Sequence, residues 1–305
     1  MQALLQSNAI FGLLAAIFWG GGDFCGGLAS KHSGGTVPAA LRVVLLSHTI
    51  SMTAVCLIAW SLGDPIPGRA AILWGLVAGV ANGLALAVFY VSLSGGAMGA
   101  AAAISGLLAA ALPAVISAFT EGSSGWRRYL GFLLAAVAIW FIAGAEGEHE
   151  LAEAAHAHAK RSTWLALAAG LGFGIFFTAI KWAGEGSKGV LLPMATTRVG
   201  SLATCAITLA LISATGRRKG APAGEFSLPR KSVYWVLAGC VVDTSGNLFY
   251  IAATQAGRLD VAAVLGSLYP ASTIILASRI LKERTTARQN LGFAIAVAAA
   301  VLITL

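Results

Sequence analysis

Apolar stretches of about 20 residues, the length that crosses the hydrocarbon core of a bilayer, alternate along this chain with short polar breaks. The pattern predicts ten helices, over about 10–29, 38–60, 70–92, 97–119, 128–145, 163–182, 191–213, 232–255, 261–281 and 289–305. The expected fold is an all-α membrane protein with ten transmembrane helices and no soluble domain left over. The first run lacks a basic n-region and contains Asp23, so it reads as a retained helix and not as a cleaved signal peptide. Gly20-Gly21-Gly22 within it predict a flexible or broken point. The longest connections are 146–162 and 214–231. The first holds Glu146, Glu148, Glu150 and Glu153 followed by His149, His156 and His158. It reads as a solvated helical linker, because His156 and His158, two apart, do not share a helix face and make a poor metal site.

Polar residues inside the runs are few, and each is costly in hydrocarbon, so each is a candidate for function. Asp23 follows Trp19 by four residues, which puts an acid and an aromatic surface on one helix face. Such a pair can bind a cation or take up a proton, or the acid can simply pair with Lys31. Asp243, Asn247, Tyr250 and Thr254 form a stripe spaced by four, three and four residues in the eighth run. A stripe of that kind cannot face lipid; it lines a wet cavity or bonds to neighbouring helices. Asn82 occupies roughly the equivalent place in the third run, with Tyr90 two turns on. Arg42 and Arg198 offer planar forks suited to a carboxylate or phosphate, yet each lies near the start of its run, where a long side chain can snorkel to the interface. His48 can titrate near neutral pH, although a lone histidine in a bundle is more often a packing residue. Gly75, Gly79 and Gly83, Gly22 and Gly26, and Gly170 and Gly174 make GxxxG steps suited to close helix contact.

Composition agrees with the pattern. Hydrophobic residues make up 58% of the chain and charged ones 10%, whereas a soluble domain carries about 25% charged residues. A soluble enzyme, a nucleic-acid-binding domain and a disordered chain are excluded. The formal charge of +8 is a matter of topology, because most Lys and Arg lie between the apolar runs. Eleven of them fall in loops after odd-numbered runs and five in loops after even-numbered ones, a count that points to both termini outside. Cys25, Cys56, Cys205 and Cys240 sit in four different runs, without the spacing of a metal site or a disulfide framework.

The two halves of the chain repeat with a period near 155–161 residues. Ala40-Leu41-Arg42-Val43 matches Thr196-Thr197-Arg198-Val199, Phe89-Tyr90 matches Phe249-Tyr250, and Leu130-Gly131-Phe132 matches Leu291-Gly292-Phe293. The expected units are 1–145 and 163–305, joined by the charged linker 146–162. With five crossings in each, the second copy enters the membrane from the opposite side, which makes an inverted pair.

Three motifs carry a family resemblance: Phe18-Trp19-Gly20-Gly21-Gly22-Asp23-Phe24, Ser267-Leu268-Tyr269-Pro270, and Leu281-Lys282-Glu283-Arg284 followed by Gln289 and Gly292. In these the sequence resembles the EamA-type permeases of the drug/metabolite transporter superfamily. The first half departs from the pattern, since Pro113 lies eight residues before Glu121 while Pro270 lies thirteen before Glu283. The resemblance implies a carrier of the bacterial inner membrane, often an exporter of amino acids or other small metabolites, with a central cavity and both termini in the cytoplasm, contrary to the Lys/Arg count.

The expected activity is therefore alternating access by a secondary transporter around a cavity lined mainly by the first, third, sixth and eighth runs. The candidate substrate-binding residues are Trp19, Asp23, Arg42, Asn82, Tyr90, Arg198, Asp243, Asn247 and Tyr250. An amino-acid-like substrate would place its carboxylate near Arg42 or Arg198 and its ammonium near Asp23 or Asp243. Expected partners are the small-molecule substrate, membrane lipids and a coupling proton, in a monomer or homodimer, with no nucleic acid. No cofactor or metal is expected. No GxxxxGK[ST] loop supplies ATP, and neither HExxH nor GxSxG supplies an enzyme centre. A lipid-linked head group is the alternative cargo.

Overall fold

The computed structural model describes residues 2–94, 98–143, 153–185, 187, 189–218, 228–282 and 286–304. They form eleven helices in chain order: α1 (Gln2–His32), α2 (Val37–Leu62), α3 (Arg69–Ser94), α4 (Met98–Thr120), α5 (Trp126–Ala143), α6 (Glu153–Gly184), α7 (Leu191–Arg218), α8 (Arg230–Ala256), α9 (Leu259–Gly266), α10 (Tyr269–Ile280) and α11 (Ala287–Thr304). Seven stretches among the described residues are long and apolar enough to cross a membrane, in α1, α2, α3, α6, α7, α8 and the combined Leu259–Ile280. α4 and α11 contribute shorter apolar helices, Ile104–Thr120 and Asn290–Ile303.

Two local expectations are corrected. α1 runs unbroken through Gly20-Gly21-Gly22. Those glycines serve close approach and not flexibility: a Cβ on Gly20 would collide with Tyr269 and Ser272 of α10, and one on Gly22 would lie 3.1–3.3 Å from Asp243 of α8. The ninth run is broken instead, at Ser267-Leu268 between α9 and α10. Pro270, second in α10, has no N–H to donate, and its ring cannot tolerate a continuing helix before it. The part of the predicted helical linker that is described, from Glu153 on, is the start of α6. His149 and the rest of 144–152 lie outside the described residues, as do the side chains of His156 and His158. Among the described residues no cluster of His, Cys, Asp or Glu could hold a metal ion.

Helix pairs follow the small residues. α1 runs antiparallel to α8, with Gly257 against Asn8, Gly246 against Trp19 and Gly239 against Cys25. α3 and α6 are likewise antiparallel, through Gly172 against Ala85 and the Ser92–Ser162 hydrogen bonds. Parallel pairs are α1 with α9 and α10, α4 with α6, and α3 with α7. α2 packs on α7 and α5 on α11. The GxxxG steps sit at these contacts: Gly75, Gly79 and Gly83 face α7, while Gly170 and Gly174 face α4. At Gly79 a Cβ would overlap the Thr197 carbonyl and stand 2.8 Å from the Ser201 nitrogen. Gly79→Leu is therefore expected to lower the thermal midpoint of the detergent-solubilised protein by more than the ~1–3 kcal/mol typical of core overpacking, or to abolish folding. Gly68→Leu, at a position with nothing within 4 Å of the added Cβ, is expected to leave the midpoint unchanged in the same measurement.

The alternating helix directions put the chain breaks at two ends. One gathers Lys31, Arg161, Arg230, Lys231 and Lys282, from the odd-numbered loops, and is tied by Ser33–Ser232, Ser92–Ser162 and Ser94–Gly35 hydrogen bonds. We refer to it as the basic end. At the other end Arg258, between α8 and α9, donates to the Glu121 carbonyl at 3.0 Å, the Gly122 carbonyl at 2.8 Å and Asp260 at 2.9 and 3.1 Å. Glu121 accepts from the Leu259 N–H at 3.0 Å and pairs with Lys181 at 2.6 Å. This latch joins the ends of α4, α6 and α8 across the two halves. The hydrogen bond to Asp260 holds the Arg258 guanidinium above even its usual high pKa, so the latch keeps its positive centre at any physiological pH.

Candidate functional site

Midway between the ends lies a cavity of about 20 Å³ lined by Trp19 and Asp23 of α1, Asn82 and Leu86 of α3, Phe173, Phe176 and Phe177 of α6, Asp243 of α8 and Tyr269 of α10. That space holds about one water molecule. The close approach of α1 to α8 and α10, made possible by Gly20, Gly22 and Gly246, brings Trp19 and Asp23 to its wall.

The two acids in this cavity differ. Asp243 is paired, its carboxylate lying 2.5 Å from an Arg198 Nη. Arg198, fully buried, bonds through its other two nitrogens to Ser51 Oγ at 3.0 Å and His48 Nε2 at 2.6 Å. Arginine has no acceptor, so His48 Nε2 must accept, and its Nδ1–H then donates to Ser201 Oγ at 2.7 Å. Thr244 donates to Ser51 at 2.7 Å, and Asn247 donates to the Asp243 carbonyl at 2.7 Å and its carboxylate at 3.2 Å. Arg198 is thus the counter-ion of Asp243, with its guanidinium satisfied inside the protein. Asp23, buried at 7% exposure, has neither an ion pair nor a hydrogen bond among the described residues. Lys31 is exposed and does not neutralise it. The Asn82 amide nitrogen, on the same cavity, is also buried without a partner.

Aromatic layers close both sides. Toward the latch, the Trp19 ring stacks on Phe177 at 4.9 Å and meets Tyr250 at 5.1 Å, and the Tyr250 hydroxyl donates to the Phe177 carbonyl at 3.4 Å. Toward the basic end, Tyr90 lies against Gly26, while Phe89 packs edge-on against Phe173 and Tyr269. Tyr269 is held by a 2.5 Å hydrogen bond to Ser105. Tyr90 and Tyr250 therefore stand on opposite sides of the cavity.

Of the residues singled out from sequence, the structure brings Trp19, Asp23, Asn82 and Asp243 to one cavity. Arg198 and Asn247 stand behind Asp243, and Tyr90 and Tyr250 form the two covers. Arg42 is elsewhere, on a groove between α2 and α7. Thr254, last in the polar stripe, bonds within its own helix. Sequence reasoning missed Phe173, Phe176 and Phe177, whose spacing is that of any apolar helix face, and Tyr269, which stood within a recognised motif. It also missed the latch, because Arg258 and Lys181 look like ordinary basic residues near span ends.

Buried polar groups at the centre of an apolar helical bundle define a multi-pass membrane protein. Residues 160–305 match the model of the EamA-like transporter family. The match falls on the half whose motifs carry the resemblance, and the family it names is one of transporters. Among solved structures, one crystal structure superposes with a TM-score of 0.69 over 97% of this chain and 96% of that one at 17% identity, a likeness of fold alone. No curated protein matches the sequence.

Proposed function

We propose that this chain is a secondary carrier that exports a small amine-bearing metabolite, such as an amino acid, by alternating access around the Asp23 cavity. One observation carries the reading: a buried acid without a counter-charge among the described residues lies in an aromatic-walled cavity closed on both sides. An unpaired carboxylate at that depth is costly. A proton removes the cost, and so does a substrate ammonium held over the Trp19 and Phe176 faces by cation–π attraction. Exchange of one for the other would couple substrate movement to protons. Asn82 offers a free N–H for a polar group of the same substrate.

The reading takes the fold as ten crossings in two inverted units, 1–145 and 163–305. Packing supports this, since exchanging the halves turns the antiparallel pair α1 with α8 into α6 with α3, and the parallel pair α1 with α9–α10 into α6 with α4. In such an arrangement Tyr250 and the latch open one side, Tyr90 and the serine contacts the other, each in turn. The closed cavity is then the occluded state, too small for a metabolite until one cover moves.

A thermal-shift screen of the purified protein against amines, amino acids, carboxylates of equal size and nucleotide-linked sugars tests the substrate class. Ligands bound only by the folded state raise its midpoint with occupancy. Amines and amino acids are expected to stabilise and simple carboxylates not; stabilisation by carboxylates alone, or by nucleotide-linked sugars alone, would overturn the assignment.

A further inference from the structure

The groove beside Arg42 shares no lining residue with the central cavity. It encloses about 730 Å³ and is walled by Leu45, Leu46, Ala206, Leu209, Ala210, Leu228 and Val233, with Thr49 and Ser213 as its polar hydroxyls. Both hydroxyls already donate to carbonyls of their own helices. Arg42 is different: its Nε is buried without a hydrogen-bond partner, and no acid pairs with it among the described residues.

Arg42 matches Arg198 in sequence but not in surroundings: Arg198 of α7 pairs with Asp243 of α8, whereas Arg42 of α2 meets no acid among the described residues and its side chain stands on the groove. From Arg42 to Thr49 the groove descends about 10 Å along α2, at 1.5 Å per residue, starting near the basic end. Arg230 and Lys231 are exposed in the first turn of α8, within one turn of Val233 on the groove wall. A cation at the interface above a slot of leucine and alanine matches one kind of molecule, an anionic amphiphile.

We propose that this groove is a binding site for an anionic phospholipid, with the phosphate on Arg42 and an acyl chain between α2 and α7. One basic group near a charged membrane surface is worth about 1 kcal/mol, about a fivefold preference, and a partly desolvated guanidinium–phosphate pair gives more. The site is independent of the transport reading.

Native mass spectrometry and thermal unfolding of the full-length protein test it, with phosphatidylglycerol and phosphatidylcholine of identical acyl chains. Wild type is expected to retain phosphatidylglycerol with at least about a fivefold preference and to be stabilised by it. Arg42→Gln is expected to remove the preference. Ala210→Trp, which fills the slot at an exposed alanine and leaves Arg42 in place, is expected to lose both lipids. Equal retention of the two lipids by wild type, or an undiminished preference in both variants, overturns the proposal. So does stabilisation by inorganic phosphate or glycerol phosphate as strong as by the lipid, which would make this a soluble-anion site. A lipid-free dimer that Ala210→Trp dissociates would make the occupant a second copy.

Discussion

Asp23→Asn is expected to reduce transport of an amine substrate into proteoliposomes about a hundredfold or more, the order set by removing one partner of a buried charge pair. The same variant is expected to unfold at the wild-type temperature. The two halves of this expectation have separate causes. Asp23 forms no ion pair or hydrogen bond among the described residues, so an isosteric amide costs the resting fold nothing. A substrate ammonium, by contrast, loses the only acid in the cavity that Arg198 has not already neutralised. The residual flux is further expected to lose its dependence on a proton gradient, because an amide cannot exchange a proton for a cation. Asp23→Asn transport within twofold of wild type, in a protein shown to be folded, would remove Asp23 from the mechanism.

The sequence shows how far such a site is legible before coordinates exist. Helix positions follow from the lengths of apolar runs, because a membrane leaves a backbone few other ways to satisfy its hydrogen bonds. The faces of Asp23 and Trp19 follow from their four-residue spacing. What spacing does not carry is destination. The eighth-span stripe is buried throughout, as any such stripe must be, yet only Asp243 lines the cavity, and the other three bond to neighbours or to their own helix. Arg42 and Arg198 are indistinguishable by motif, and their fates diverge because Arg198 meets an acid of another helix, Asp243, while Arg42 meets none among the described residues. The glycine triplet misleads for a related reason. Glycine permits a break and permits close contact equally, and only the presence of α8 and α10 across from it decides. Phe173, Phe176 and Phe177 carry no mark at all, since an aromatic against a cavity and an aromatic against lipid have the same periodicity.

The Asp243 pair is expected to behave in the opposite way to Asp23, although both acids face one cavity. Asp243→Asn leaves the fully buried Arg198 guanidinium with only Ser51 and His48, and Arg198→Met leaves the carboxylate with the Asn247 amide and the His48 ring, 3.9 Å away. Breaking a buried pair by removing one partner costs about 3–5 kcal/mol, so each single variant is expected to unfold well below Asp23→Asn. Removing both charges together takes away the uncompensated ion as well as the pair. Hydrophobic replacement of a buried pair is often neutral or stabilising, and the double variant Arg198→Met/Asp243→Leu is expected to recover most of the lost stability. Transport should not return with it, because a leucine then occupies the cavity wall beside Asp23. A thermal double-mutant cycle reads this directly, as a coupling of opposite sign to the two single losses. Additive losses in the cycle would mean that Arg198 and Asp243 stabilise the fold through separate partners, and Asp243 would then be as free as Asp23 to receive the substrate.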